Sequence, residues 1–138
     1  MNAEPLLVDA SVWIAAGNLE DPFHQPAREI AVNAGLPVAA LDLTLYEVAN
    51  VVGVREGRSS EAEHLVRLIA DRCARSLVRA DANLLAAAVD CAKEHRLTGY
   101  DAAYVTAARL HGWTLVSVDI ADLVSKGLAV TPDAAVYP

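Results

Sequence analysis

Residues 97–119 read LTGYDAAYVTAARLHGWTLVSVD, and the fold is decided there. Asp101 follows Thr98, Gly99 and Tyr100, which puts it at or just inside a helix start. Beyond it Ala102, Val105, Ala108 and Leu110 keep roughly helical spacing. Gly112, free to take a positive φ, is the expected stop. Thr114 to Val118 is a short β-branched run, read as a strand with Asp119 at its carboxyl end. Ligands of open parallel α/β sheets bind beyond the carboxyl ends of strands, so Asp119 is placed where sites form.

Working outward, the chain repeats the pattern. Leu6, Leu7 and Val8 form a continuous apolar strand, closed by Asp9 and followed at once by a helix from Ser11 to Ala16. A helix is expected over Pro26–Ala34 and a strand over Val38–Ala40. Thr44 as N-cap with Glu47 three residues on reads as a capping box, opening a helix that runs to Gly57. Ser59 or Ser60 then caps a helix with Ala62, Leu65, Val66, Ile69, Ala70 and Cys73 on one stripe. Leu77 and Val78 make a brief strand. Asp81 caps the next helix, whose apolar face carries Leu84, Leu85, Ala88, Val89 and Ala92. A short helix over Leu123–Lys126 and a last strand, Ala129–Thr131, complete the series. Strands alternating with helices predict a single three-layer α/β domain over residues 1–138, with a mostly parallel central sheet flanked by helices.

Composition narrows the class. Hydrophobic residues make up 54% of 138, well outside the disordered range and enough for one real core. No apolar run approaches the ~18 residues that span a bilayer, and the first apolar run has no basic residue before it and contains Asp9. The expectation is a cytoplasmic chain with no membrane partner. Cys73 and Cys91 lack CxxC spacing and are expected as buried, reduced thiols. The formal net charge of −7 is unusual for a nucleic-acid protein. Between residues 55 and 79, however, six arginines face four acids, so a basic segment rides on an acidic body.

Four acids stand out: Asp9 and Asp119 at strand ends, Asp101 at a helix start, Glu47 in a first helical turn. Singly, each has an ordinary reading as a turn former or cap. Together they repel and lose hydration, so folding alone gives no reason to gather them. A hard divalent cation such as Mg²⁺ or Mn²⁺ turns that repulsion into attraction. Ser11 and Ser117, two residues from Asp9 and Asp119, are natural donors to the carboxylates, and Asn50 stands one turn after Glu47.

The series Asp9-x-Ser11, Glu47, Tyr100-Asp101-Ala102 and Ser117-x-Asp119 resembles a PIN domain. It looks most like the VapC-type ribonuclease toxins of prokaryotic toxin–antitoxin pairs, and the likeness covers almost the whole chain. That resemblance implies a PIN-like fold and Asp9, Glu47, Asp101 and Asp119 as metal-binding, catalytic acids. It further implies an Mg²⁺- or Mn²⁺-dependent endoribonuclease, an antitoxin partner and a homodimer. Ser117 stands where the family usually has threonine, which keeps the hydroxyl. Asp122 is an extra acid, read here as a surface residue.

The basic segment then becomes a candidate RNA contact through Arg55, Arg58, Arg67 and Arg72. A cognate antitoxin is expected between the 44–75 helices and the acidic edge, reaching the acids with an arginine or lysine. Apolar positions on helices 44–56, 60–75 and 82–95 exceed what one small sheet covers, which independently suggests a homodimer. Trp13 and Tyr46 are read as core residues. His24, His64, His95 and His111 have no zinc spacing, and no GxSxG or GxGxxG occurs. Rival readings are an aspartate-nucleophile phosphatase, an acidic-pocket phospho-acceptor module and a catalytically silent RNA-binding domain. The first two want a second acid where Ser11 stands, and a late lysine. The complete set of acids argues against the third.

Overall fold

A computed structural model describes residues 4–138. Four strands, β1 (Leu6–Val8), β2 (Val38–Leu41), β3 (Leu77–Val78) and β4 (Thr114–Val116), form one sheet in the order β3-β2-β1-β4. Every pairing is parallel: Leu7 lies opposite Ala39 on one side and Leu115 on the other, and Ala40 lies opposite Leu77. The expected strand at Ala129–Thr131 shrinks to a single parallel bridge between Val130 and Val116. Pro132 then opens a short helix, α7 (Pro132–Val136), in the tail that the sequence left without structure.

The central strands β1 and β2 are largely buried on both faces, and the strand residues sort by alternation. Val8, Val38, Ala40 and Val116 pack with α1 (Ala10–Ala16), α2 (His24–Val32) and α4 (Ser59–Arg72). Leu7, Ala39, Leu41 and Leu115 face α5 (Ala82–His95) and α6 (Gly99–His111). This is the three-layer arrangement the alternating pattern predicts. Trp13 and both cysteines are buried, the cysteines unpaired, as expected. Among the described residues no helix is long and apolar enough to cross a membrane.

Three local expectations need correction. The helix after β2, α3 (Leu43–Val48), begins before Thr44, so the Thr44–Glu47 capping box does not form. Asp42 ends the strand instead, its Oδ1 accepting the Ala80 N–H at 3.0 Å, while Thr44 turns inward and is wholly buried. Tyr46 is not core: it is 75% exposed. And α3 continues as a π-helical segment, Ala49–Arg55, not as a regular helix. There Gly53 sits so close to α4 that a methyl group on it would come within 3.1 Å of the Ala62 Cβ. Gly57, at φ +69°, ends the arm, with the Glu56 N–H on the Val51 carbonyl and the Arg58 N–H on the Val52 carbonyl.

Arg72 closes the opposite, amino edge of the sheet. Its Nη2 donates to the carbonyls of Ile30, Asn33 and Leu36 at 3.2, 2.8 and 2.7 Å. These carbonyls lie at and beyond the end of α2, where acceptors run out of intrahelical donors; the Asn33 carbonyl also takes the Leu36 N–H, and a cation there suits the helix dipole. The arginine expected to touch RNA is thus committed to the fold. Arg72→Ala should lower unfolding free energy by about 2–3 kcal/mol, the cost of stranding acceptors bonded to a charged donor. Urea unfolding of the two proteins at matched pH measures this.

Candidate metal and active site

All four expected acids reach the carboxyl edge, each by a different local device. Asp9 is the residue after β1 and the N-cap of α1, where Val12 N–H approaches its Oδ1 at 3.4 Å. Asp119 follows β4 by three residues and caps the π-helical turn Ile120–Val124, taking the Asp122 N–H at 3.0 Å. Asp101 lies in the first turn of α6, its own N–H held by the Thr98 hydroxyl at 3.1 Å. Glu47 stands near the end of α3, before the π-helical segment.

Asp101, Asp119 and Asp122 bring one carboxylate oxygen each within 4.8 Å of one another. Asp122 is exposed, as its surface reading implied, and is nonetheless part of the cluster. Asp9 and Glu47 are close enough to act on it: both Glu47 and Asp122 push the Asp101 pKa upward, and Asp101 does the same to Asp9. The donors are all carboxylate oxygens, with no histidine or thiol. That set suits a hard divalent cation and is capable of coordinating one.

Ser11 and Ser117 stand where the sequence put them. Ser11 donates to Asp9 Oδ1 and accepts the Val118 N–H at 3.1 Å, and its Oγ lies 3.4 Å from that of Ser117. Ser117, fully buried, accepts the Asp119 N–H at 3.0 Å. The two hydroxyls therefore tie the end of β1 to the end of β4. Asn50 is exposed at the start of the π-helical segment. Arg55, Arg58 and Arg67 are exposed, Arg58 pairing with Glu56 and Glu61, while Arg72 lies at the amino edge.

Two residues that the sequence reading overlooked belong to the site's framework. The Tyr104 hydroxyl donates to Glu47 Oε1 at 2.6 Å and lies 2.6 Å from the Thr44 hydroxyl. A signal existed: Tyr104 is the lone large side chain in a run of small ones, and a buried phenol needs a partner for its hydroxyl.

Electrostatics follow from burial. Burial lifts Asp9 to about 6 against the pull of the Ser11 and Ser117 hydroxyls, with Asp101 adding to the rise. Asp101 is also lifted to about 6, first by burial and then by Asp119, Glu47 and Asp122, with Lys126 opposing. Burial raises Glu47, and the Tyr104 bond holds it down. An unfolded aspartate titrates near 4, so between pH ~4 and ~6 the folded protein holds more protons than the unfolded one. Stability is therefore greatest below that window and falls as pH rises through it. For chelator-treated protein, the melting temperature should drop between pH 4.5 and 7. Asp9 should account for roughly 2 kcal/mol of the loss between these pH values, and Asp9→Asn should remove about half of the slope, because Asp101 is lifted to the same range.

Comparison with known proteins agrees with this geometry. A model of the PIN domain matches residues 6–122. Ribonuclease VapC3 of Pyrobaculum aerophilum is 35% identical over 118 residues, 83% of this chain and 88% of the relative. A crystal structure from Pyrobaculum aerophilum superposes with a TM-score of 0.72 at 24% identity, covering 96% of this chain and 87% of its own. VapC20 of Mycobacterium tuberculosis, a toxin that cleaves the sarcin–ricin loop, gives 0.70 at 22% identity, covering 88% and 95%. A toxin–antitoxin complex from Klebsiella pneumoniae gives 0.65 at 19%, covering 92% and 97%. The span matched by the family model begins with β1 and ends at Asp122, taking in all four strands and every acid of the cluster: the chain belongs to the PIN domain family.

Proposed function

We propose that this protein is an Mg²⁺- or Mn²⁺-dependent endoribonuclease, the toxin of a toxin–antitoxin pair. The observation that carries the reading is the convergence of Asp101, Asp119 and Asp122 within 4.8 Å, with Asp9 and Glu47 bearing on them. The likeness to a ribonuclease along 83% of the chain supports it. Asp101 and Asp119, with Asp9 and Glu47, would hold the ion. When bound, it supplies the charge that lowers the pKa of an attacking water and stabilises the leaving 3′-oxygen.

The chain's own contribution is placement. Ser11 and Ser117 hold Asp9 in a fixed direction, so its carboxylate need not be ordered when substrate arrives. Asp122 adds negative charge at the rim, where a hydrated ion enters. Arg55, Arg58 and Arg67, on the arm that begins with α3, are the cations left to follow an RNA backbone. The phosphatase and phospho-acceptor readings are disfavoured. Ser11 occupies the position their second acid would need and bonds to Asp9 itself, and Lys126 donates to the His95 carbonyl.

Two partners belong to this reading. The antitoxin would lie between the 44–75 helices and the acidic edge, and an amphipathic helix of it could also use the groove of about 360 Å³ that Val52, Leu65 and Leu68 form with Ile14 of α1 and Val32 of α2. A second copy would cover a cleft of about 500 Å³ bounded by Tyr46, Leu85, Val89 and Tyr100, with Val89 66% exposed.

Asp101→Asn should reduce cleavage of a labelled RNA in Mg²⁺ or Mn²⁺ by orders of magnitude. The metal-free variant should melt at or slightly above the parent, since one repelling charge is gone. Parent-like cleavage by this variant would sink the metal-nuclease reading. Val89→Glu should turn a dimer into a monomer by light scattering at micromolar concentration, and a monomeric parent would remove the proposed homodimer.

A further inference from the structure

Tyr104 lies one turn past Asp101 on α6, and only 1% of it is exposed. Its hydroxyl has two close oxygen neighbours, Glu47 Oε1 and Thr44 Oγ1, both at 2.6 Å. A phenol has one proton to give. With that proton on the carboxylate bond, the Thr44 hydroxyl must be the donor of the other, so the order runs Thr44 to Tyr104 to Glu47. Burial, with Glu47 adding to it, lifts the phenol's pKa far above its ordinary value, so it remains a donor.

We propose that Tyr104 is the positioning residue for Glu47, and that the Thr44–Tyr104–Glu47 relay fixes this carboxylate so that it joins the other acids in holding a divalent cation. The inference rests on the metal-nuclease reading and deepens it, assigning work to two buried hydroxyls that touch neither ion nor RNA. A glutamate on a helix has three rotatable bonds, and ordering it at the moment of binding costs entropy. Glu47 is only half-buried, with no hydrogen-bond donor besides Tyr104 among the described residues. Tyr104, by contrast, is clamped on all sides by the core between α6 and the sheet. One oxygen is thereby pinned, and Oε2 is left uncommitted.

The rival account is that Tyr104 fills the core and its hydroxyl is satisfied by whatever lies near. The two accounts differ in what Tyr104→Phe does, since phenylalanine keeps the ring and loses only the donor. The experiment measures Mn²⁺ affinity by electron paramagnetic resonance for the parent, Tyr104→Phe, Glu47→Gln and the double variant. Thermal unfolding and cleavage kinetics are recorded beside it.

Tyr104→Phe should bind Mn²⁺ about tenfold more weakly, the usual effect of losing a partner that orients a ligand. Its kcat should fall with KM little changed. In the Glu47→Gln background the same change should have no further effect on Mn²⁺ affinity, because Tyr104 acts through that carboxylate. Thr44→Val should give a smaller loss in the same direction, and it takes the place of Tyr104→Phe in the cycle if that variant does not fold. Parent-like Mn²⁺ affinity in Tyr104→Phe, or a loss undiminished in the Glu47→Gln background, overturns the inference while leaving a metal-binding, RNA-cleaving parent intact. A parent that neither binds Mn²⁺ nor cleaves RNA overturns the metal-nuclease reading and the inference with it.

Discussion

Like charges crowded at one sheet edge are the constraint on which the rest of this structure depends. Asp9, Glu47, Asp101 and the pair Asp119 and Asp122 are delivered by four separate elements, and nothing in their mutual repulsion draws them together. The fold compensates locally. Backbone N–H groups at Val12 and Asp122 face two of the carboxylates, two serine hydroxyls join the ends of β1 and β4, and a phenol holds Glu47. The two backbone bonds use the orphan donors that helix starts present, so the groups that cap those helices also steady the acids. Burial first, and then the repulsion left uncompensated, surface as the raised pKa values of Asp9 and Asp101.

The two edges of the sheet are chemically opposite. The carboxyl edge gathers unneutralised acids, and the amino edge is closed by a cation bonded to three carbonyls. A parallel sheet imposes this polarity, because each crossover enters at one edge and leaves at the other. Function and fastening are thereby kept apart. The arginines of 55–79 divide the same way: Arg72 serves the fold, while Arg55 and Arg67 are exposed.

Much of this was legible in the chain itself. Strand, acid, helix is written twice, around Asp9 and around Asp119, and strict alternation gave the layers; the core at Leu7, Val8, Leu115 and Val116 follows from it. What sequence reasoning missed was set by partners distant along the chain. Thr44 reads locally as a cap, but its hydroxyl is claimed by Tyr104, sixty positions away. Arg72 reads as a candidate RNA contact, but carbonyls some forty positions earlier claim it. Tyr46 reads as apolar, yet the helix turns it outward beside an acid that must point in. Local rules are weakest where a long-range bond overrides a neighbour's preference.

The shortness of the sheet's outer members bears on self-association of a different kind. β3 pairs over two residues, and beyond β4 the described residues contribute only the bridge at Val130. An open sheet normally presents a ladder of free amide and carbonyl groups that can template the addition of further strands, in fibrils or disordered aggregates. Here that ladder is scarcely one repeat long on either side. A chain more than half of whose residues are hydrophobic thus leaves its neighbours little to extend edge to edge, and any lasting contact between copies has to be made through helix faces.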